Sequence, residues 1–432
     1  MRRQDCRHVE RGSHLKSWTV PTGAPFTAVA PPIRVHDTPS DSIVEWDSTS
    51  ARFYVCGITP YDSTHLGHAA TYVAFDLLNR ALRNAGLEVT YVQNVTDVDD
   101  PLLERAWAQS VDWRELASEQ TERYRSDMEA LNVLPPDRFV TVEESMSDIV
   151  ATIERLESQG RTYRLGSDTY FLIGSDQTPG SSSELPAPEV AELFAERGGD
   201  PHRPGKRHPL DPLVWRGWRP GEPSWPSPWG RGRPGWHVGC ATIAQEHLGP
   251  HIDLQGGGRD LIFPHHEMTA AIAQAIYPDG PFARFFAHAG MVRYGGEKMS
   301  KSRGNLVFVS RLREDGVDPA AIRLALLRHH YRSTWDWRDS DLREAEQMVS
   351  EWRRAFAASA GAPAGPVRSA VLAALAEDLD APSALQIVQE WVDMTNGVGG
   401  HAIRKDRDAP EQVRLLVDAA LGLSLPKSTG SA

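Results

Sequence analysis

The sequence predicts an α/β protein: a doubly wound parallel sheet with a connective insertion and a C-terminal helical bundle. Three observations carry this prediction. Apolar runs at Arg52–Cys56 and Glu88–Val92 flank a helical period from His65 to Ala85, which makes a strand–helix–strand unit of the kind that builds parallel sheets. A later short strand pattern, Ile252–Leu254, runs into the glycines Gly256–Gly258. Residues 310–358 and 367–397 are helical by apolar periodicity, with a Gly/Ala/Pro break at 360–366. At 432 residues the chain exceeds one compact core of ~250–300 residues.

The elements follow in order. Residues 1–45 are rich in Pro, Ser, Thr and charge without a period, and read as an extended N-terminal arm. The first half of the sheet domain is expected over 46–137. In it, Leu66, Ala69, Ala70, Val73, Leu77, Leu78, Ala81 and Leu82 form the apolar stripe of the helix, and Gly86 is its stop. Residues 101–160 are mainly helical, and Gly166–Ile173 fits a short hairpin. A connective insertion is placed at 138–210. The second half of the sheet domain follows at 211–309, a helical junction at 310–345 and the bundle at 346–432. Asp200–Pro234, with four tryptophans, reads as an ordered, aromatic-packed connection.

Composition excludes several classes. Forty per cent hydrophobic and 24% charged residues are globular proportions, which rules out wholesale disorder. No run approaches the ~18 apolar residues of a membrane span, and the N-terminus lacks an apolar signal core, so a soluble, cytoplasmic protein is expected. A net charge of −12 offers no global field for nucleic acid. Three cysteines, Cys6, Cys56 and Cys240, are too few for a disulfide framework.

Four clusters are chemically suggestive. Thr64-His-Leu-Gly-His68 sits where strand passes into helix; its free N–H groups and two imidazoles suit a phosphate, or simply cap the helix. Lys298-Met-Ser-Lys-Ser302 concentrates two of only six lysines, fit to neutralise a leaving pyrophosphate or to remain a solvated loop. Cys56, Cys240 and the histidines of Phe263-Pro-His-His-Glu267 form a soft donor set that suits zinc, with buried structural side chains as the alternative. Gly256-Gly-Gly-Arg-Asp260 lets a flat base approach the backbone, or is a tight turn.

Taken together and in this order, these segments resemble class I aminoacyl-tRNA synthetases, and cysteinyl-tRNA synthetase in particular. The matches are Cys56-Gly-Ile-Thr-Pro-Tyr-Asp62, His65-Leu-Gly-His68, Asn94-Val-Thr-Asp-Val-Asp-Asp100, Gly221–Trp229, Gly235-Trp-His237, Gly256–Gly258, Phe263–Glu267 and Lys298–Ser302. The chain is more similar still to the paralogous mycothiol-biosynthetic cysteine ligases, which carry a run like Glu196-Arg-Gly-Gly-Asp-Pro201. Those ligases begin near a pair like Ser17-Trp18, which marks residues 1–14 as an extension.

The resemblance implies a class I synthetase-like fold and zinc held by Cys56, Cys240 and His265. The synthetases place a further glutamate ligand where this chain has Thr269, as the ligases do, so three protein ligands and one open place are expected. It also implies catalysis by His65, His68, Lys298 and Lys301. Cysteine and its adenylate would be surrounded by Cys56, Gly57, Ile58, Thr59, Thr71, Asn94, Val95, Thr96, Trp236, Gly258, Arg259, Asp260 and Val292. Two residues depart from the pattern: Gly239 replaces a glutamate and Arg259 a serine.

The implied activity has two steps. L-cysteine and ATP, with Mg2+, give cysteinyl-adenylate, and the cysteinyl group then passes to the amine of glucosaminyl-inositol. The near rival transfers cysteine to tRNA. Against it, residues 346–432 hold 8 Lys/Arg and 11 Asp/Glu, a poor platform for RNA phosphates. A monomer with small-molecule substrates, no tRNA partner and no membrane partner is expected.

Overall fold

The computed structural model describes residues 15–426 apart from 22, 27–29, 63, 175–179, 181–185, 300–303 and 399–403. An antiparallel hairpin comes first: β1 (Arg34–Asp37) and β2 (Ser42–Glu45). This corrects the reading of 34–45 as part of an extended N-terminal arm. Ile33 and Val35 are buried, and Asp37 builds the turn by accepting from the Ser40 hydroxyl at 2.6 Å. The hairpin is then tied down by a bond from the Thr38 N–H to the Phe286 carbonyl at 2.8 Å. Its own ladder and turn are short and rest on this long-range bond as well, so no extended local period announces them.

Next come β3 (Ser50–Ile58), α1 (Leu66–Asn84), β4 (Glu88–Val95), α2 (Asp100–Gln109), α3 (Trp113–Ala130), β5 (Arg138–Thr141) and α4 (Met146–Ser158). The insertion contributes β6 (Thr162–Leu165), β7 (Asp168–Phe171), α5 (Ala187–Glu196), β8 (Leu213–Gly217) and β9 (Gly232–Pro234). The chain returns through α6 (Trp236–Leu248), β10 (Ile252–Gly258), α7 (Glu267–Ile276), β11 (Ala283–Ala289), β12 (Val292–Tyr294) and β13 (Glu297–Lys298). It ends with α8 (Val309–Glu314), α9 (Pro319–Leu327), β14 (Trp335–Trp337), α10 (Asp339–Ala357), α11 (Ala364–Ala376), α12 (Ala381–Asn396) and α13 (Ala409–Leu421).

The central sheet has the order β11-β10-β3-β4-β5, and every neighbouring pair is parallel. The order reverses between β3 and β10, so a crevice opens beyond the carboxyl ends of those two strands. A separate antiparallel sheet, β6-β7-β8-β9, forms the insertion. Two predicted boundaries therefore move. Residues 138–141 belong to the central sheet rather than the insertion, and the insertion continues to Pro234 rather than stopping at 210. Composition could not show either, because a four-residue strand is recognised by its partner. The tryptophan-rich connection is ordered as expected: Trp215 is fully buried and packs 5.9 Å from Trp229. Among the described residues no helix is long and apolar enough to cross a membrane.

The C-terminal bundle docks on α1 through a buried ionic cluster. Asp76 accepts from Arg80 Nε at 2.8 Å, from Arg323 Nη2 and from the Leu134 N–H at 2.7 Å. Arg323 spends its remaining donors on the carbonyls of Leu421 at 2.7 Å and Leu131 at 2.9 Å. Burial raises the Asp76 pKa, but the two guanidinium charges outweigh it and hold the carboxyl below its usual value. Its contribution is thus present above the usual carboxylate pKa and is lost as pH falls through the lowered value. Replacing Asp76 by Ala leaves two buried cations uncompensated. We expect a loss of about 3–5 kcal/mol in urea unfolding at neutral pH, with a smaller difference from the parent in strongly acidic solution.

Candidate active site

β3 delivers Cys56, and the chain turns through Thr59–Thr64 into α1. At the start of that helix His65 is the N-cap: its Nδ1 accepts from the Gly67 N–H at 3.1 Å and the His68 N–H at 3.4 Å. An accepting Nδ1 places the proton of the neutral ring on Nε2, leaving that nitrogen as a donor. The His65 and His68 rings stack with centroids 3.8 Å apart. Capping therefore uses Nδ1 alone and leaves Nε2 outside the cap. The segment after the lysine loop is sewn to the same place, since the Leu66 N–H bonds to the Val307 carbonyl and the Val309 N–H to the Thr64 carbonyl.

Beyond the crevice lies a cavity of about 380 Å³. Of the expected residues it is lined by Cys56, Gly57, Ile58, Thr59, His65, His68, Thr71, Thr96, Trp236, Cys240, Gly258, Arg259, Asp260, His265 and Val292. Two expectations fall elsewhere. Val95 is 1% exposed and faces the hydrophobic core, because alternate residues of β4 point to opposite sides. Asn94 is fully buried behind the cavity wall, where its Oδ1 accepts from the Gly57 N–H and the Tyr54 hydroxyl, each at 2.8 Å, and its Nδ2 donates to Thr96 Oγ1 at 2.9 Å. Asn94 thus shapes the wall without lining it. Lys298 lies in β13 opposite Arg293, and Lys301 is outside the described residues.

The sulfur and imidazole donors of Cys56, Cys240 and His265 lie within 4.8 Å of one another, all buried. Burial pushes the Cys56 thiol well above its usual pKa. The hydrogen bond from Cys56, outweighing burial, and the nearby His265 draw the Cys240 thiol well below it. Of the supporting residues, His266 and Trp236 stood among the candidates, whereas His288 and Thr38 were not foreseen. His266 Nε2 sits 3.2 Å from Cys56 Sγ, His266 Nδ1 is 2.7 Å from His288 Nε2, and Thr38 Oγ1 is 2.7 Å from His288 Nδ1. Burial keeps His266 neutral and lowers His288 to about 3. Trp236 stacks on His265 with ring centroids 4.0 Å apart, and His237 Nδ1 contacts His265 Nδ1 at 3.0 Å. No sequence signal could pair His288 with His266, since they meet across different elements. Arg197, also missed as a lining residue, approaches Asp260 at 3.7 Å from the insertion; only the Glu196–Pro201 run hinted at it. Of the two departures, Gly239 faces Val142 and Ile149, and Arg259 is exposed at the cavity edge.

Residues 42–347 match the family of class I (C) tRNA synthetase catalytic domains. A protein of Thermobispora bispora named L-cysteine:1D-myo-inositol 2-amino-2-deoxy-alpha-D-glucopyranoside ligase is 54% identical over 412 residues, covering 95% of this chain and all of that one. A protein of Thermobifida fusca with the same name is 52% identical over 414 residues, covering 96% of this chain and all of its own. The chain belongs to this ligase family. Among solved structures, Mycobacterium tuberculosis methionyl-tRNA synthetase with methionyl-adenylate superposes with a TM-score of 0.57 at 17% identity, covering 86% of this chain and 92% of that one. An Agrobacterium radiobacter leucyl-tRNA synthetase complex reaches 0.61 at 12% identity, covering 88% and 85%. These likenesses show the class I synthetase-like fold.

Gly57 tests the wall directly. A Cβ at this position would lie 1.5 Å from the Asn94 carbonyl oxygen, backbone that cannot step aside while β3 and β4 remain paired. Gly57→Ala is expected to lower stability by at least about 2–3 kcal/mol in urea unfolding and to abolish activity. A variant with parental stability would show that the two strands can part here.

Proposed function

We propose that this protein is an ATP-dependent ligase that activates L-cysteine as cysteinyl-adenylate and transfers it to the amine of glucosaminyl-inositol. The observation that carries this reading is the meeting of a two-thiol, one-imidazole set with an imidazole-bearing helix N-terminus in one cavity. In the first step a cysteine carboxylate oxygen bonds to the α-phosphorus of ATP while the bond to pyrophosphate breaks. In the second the sugar amine bonds to the acyl carbon, AMP leaves, and the nitrogen gives up a proton. Neither step forms a covalent bond to the protein, so the protein acts by positioning and by neutralising charge.

His65 and His68 supply donors at the helix N-terminus, where the dipole also favours the phosphates. Lys298 and Lys301 are assigned to the charge that builds on the leaving pyrophosphate. Gly258 and Asp260 border the cavity where the nucleotide is assigned, and the flat face of Trp236 bounds the cysteinyl end. Cys56, Cys240 and His265 fit a zinc ion in donor type and in mutual distance. Two thiols in a buried pocket ionise together only beside a cation, which the Cys56 environment otherwise opposes. When bound, zinc supplies a Lewis-acid position for the substrate thiolate, which separates cysteine from serine without an editing site.

Two measurements check this reading. Purified protein should carry about one zinc per chain, and Cys240→Ala should lose metal and adenylation together by elemental analysis and cysteine-dependent ATP–pyrophosphate exchange. Full zinc in the variant would remove Cys240 from the site. Given cysteine and ATP with either glucosaminyl-inositol or cysteine tRNA, the protein should cysteinylate the sugar amine, at a rate rising with pH as the amine deprotonates and depending weakly on salt. Efficient tRNA charging without a sugar product would assign the synthetase activity instead.

A further inference from the structure

A second cavity, of about 660 Å³, adjoins the first and shares Thr59, Tyr61, Arg197 and Trp236 with it. One wall is the start of α2, with Asp99, Asp100 and Glu104; the other is the end of α5 and its continuation, Phe194–Asp200. Paired guanidinium and carboxylate groups complete the lining. Arg216 binds Asp100 through both carboxylate oxygens at 2.8 and 2.9 Å, and Arg233 bridges Asp100 to Glu222. Deeper in the insertion, Arg203 and Arg219 bind Asp168 at 2.5 and 3.0 Å.

Guanidinium and carboxylate groups have more donors and acceptors than these pairings use, which suits the hydroxyls of a polyhydroxylated ring, and Trp236 adds an apolar face. The lining carries six carboxylates against five guanidinium groups, so it does not attract a polyanion. Asp99 differs from its neighbours. Its Oδ1 accepts from the Asp100 N–H at 2.9 Å, capping α2, yet it makes no ion pair among the described residues. Burial first, then the Asp100 charge, raises its carboxyl to about 6. An adjacent ammonium would reverse that penalty.

We propose that this second cavity is the acceptor site, with the amino-sugar ammonium against Asp99 at the Trp236 junction and the inositol ring among the arginine–carboxylate pairs of the insertion. The assignment rests on the ligase reading above. It makes the Glu196–Asp200 segment a wall built for a small acceptor, and Arg197 the residue that borders both cavities.

The test uses the full chain, two variants and two assays. Asp99→Asn keeps the helix cap but removes the charge; Ala195→Trp fills the cavity from the last turn of α5. Both are expected to keep cysteine-dependent ATP–pyrophosphate exchange while raising the KM for glucosaminyl-inositol ~10–100-fold. Glucosyl-inositol, with hydroxyl in place of amine, should compete poorly with the acceptor in the parent. In Asp99→Asn that preference for the amine should shrink ~10-fold or more, which a merely structural role would not cause. Unchanged acceptor KM in both variants overturns the site. A parent that makes adenylate but no sugar product overturns the ligase reading, and the site with it.

Discussion

Parallel pairing of β3 with β4 on one side and β10 on the other brings three strand ends to a single edge of the sheet. Everything chemical in the protein depends on that edge. Cys56 and Gly57 come from β3, Asn94 and Val95 from β4, and Gly256–Gly258 from β10. The β3–β4 ladder shifts register between Val55 and Ile58, and there the Gly57 N–H is taken by the Asn94 side chain. One buried amide thus replaces a missing rung and fixes the cavity wall beside a thiol. Such a group specifies its surroundings because leaving any partner unsatisfied would be costly.

The bundle serves this edge from a distance. Asp76 lies on α1, the helix whose first turn carries His65 and His68, and its bonds to Arg80 and Arg323 lock that helix to α9 and to the end of α13. A buried ion cluster of this kind contributes little net stability relative to apolar packing, but it tolerates few alternative dockings. Its effect is to orient the helix N-terminus. The bonds from Leu66 and Val309 then tie the chain at Val307–Val309 to the same turn.

The insertion plays a different part. Its antiparallel sheet adds no strand to the central one, yet β9 leads into Gly235 and the Trp236 start of α6. The tryptophan that stacks on His265 therefore stands where insertion and sheet domain meet, and Arg197 reaches Asp260 from the same side. This geometry lets one insertion line the second cavity while the first is bounded mainly by the sheet domain.

The local patterns alone were enough for the first strand–helix–strand unit and the helical C-terminal third, because period and capping are written within a few neighbouring residues, whereas around His65, Cys56 and Gly258 they left a structural alternative open. Resemblance carried the rest of the cavity list. What needed the tertiary structure is long-range: the hairpin over 34–45 is docked by Phe286, β5 is a strand only beside β4, and Val95 points away because of strand alternation. The pairing of His266 with Cys56 and His288, and the second cavity between α2 and α5, likewise join residues separated by tens to hundreds of positions. Side-chain type sets which chemistry is available, but which groups meet is decided by strand register and helix docking, and those depend on packing that no local segment contains.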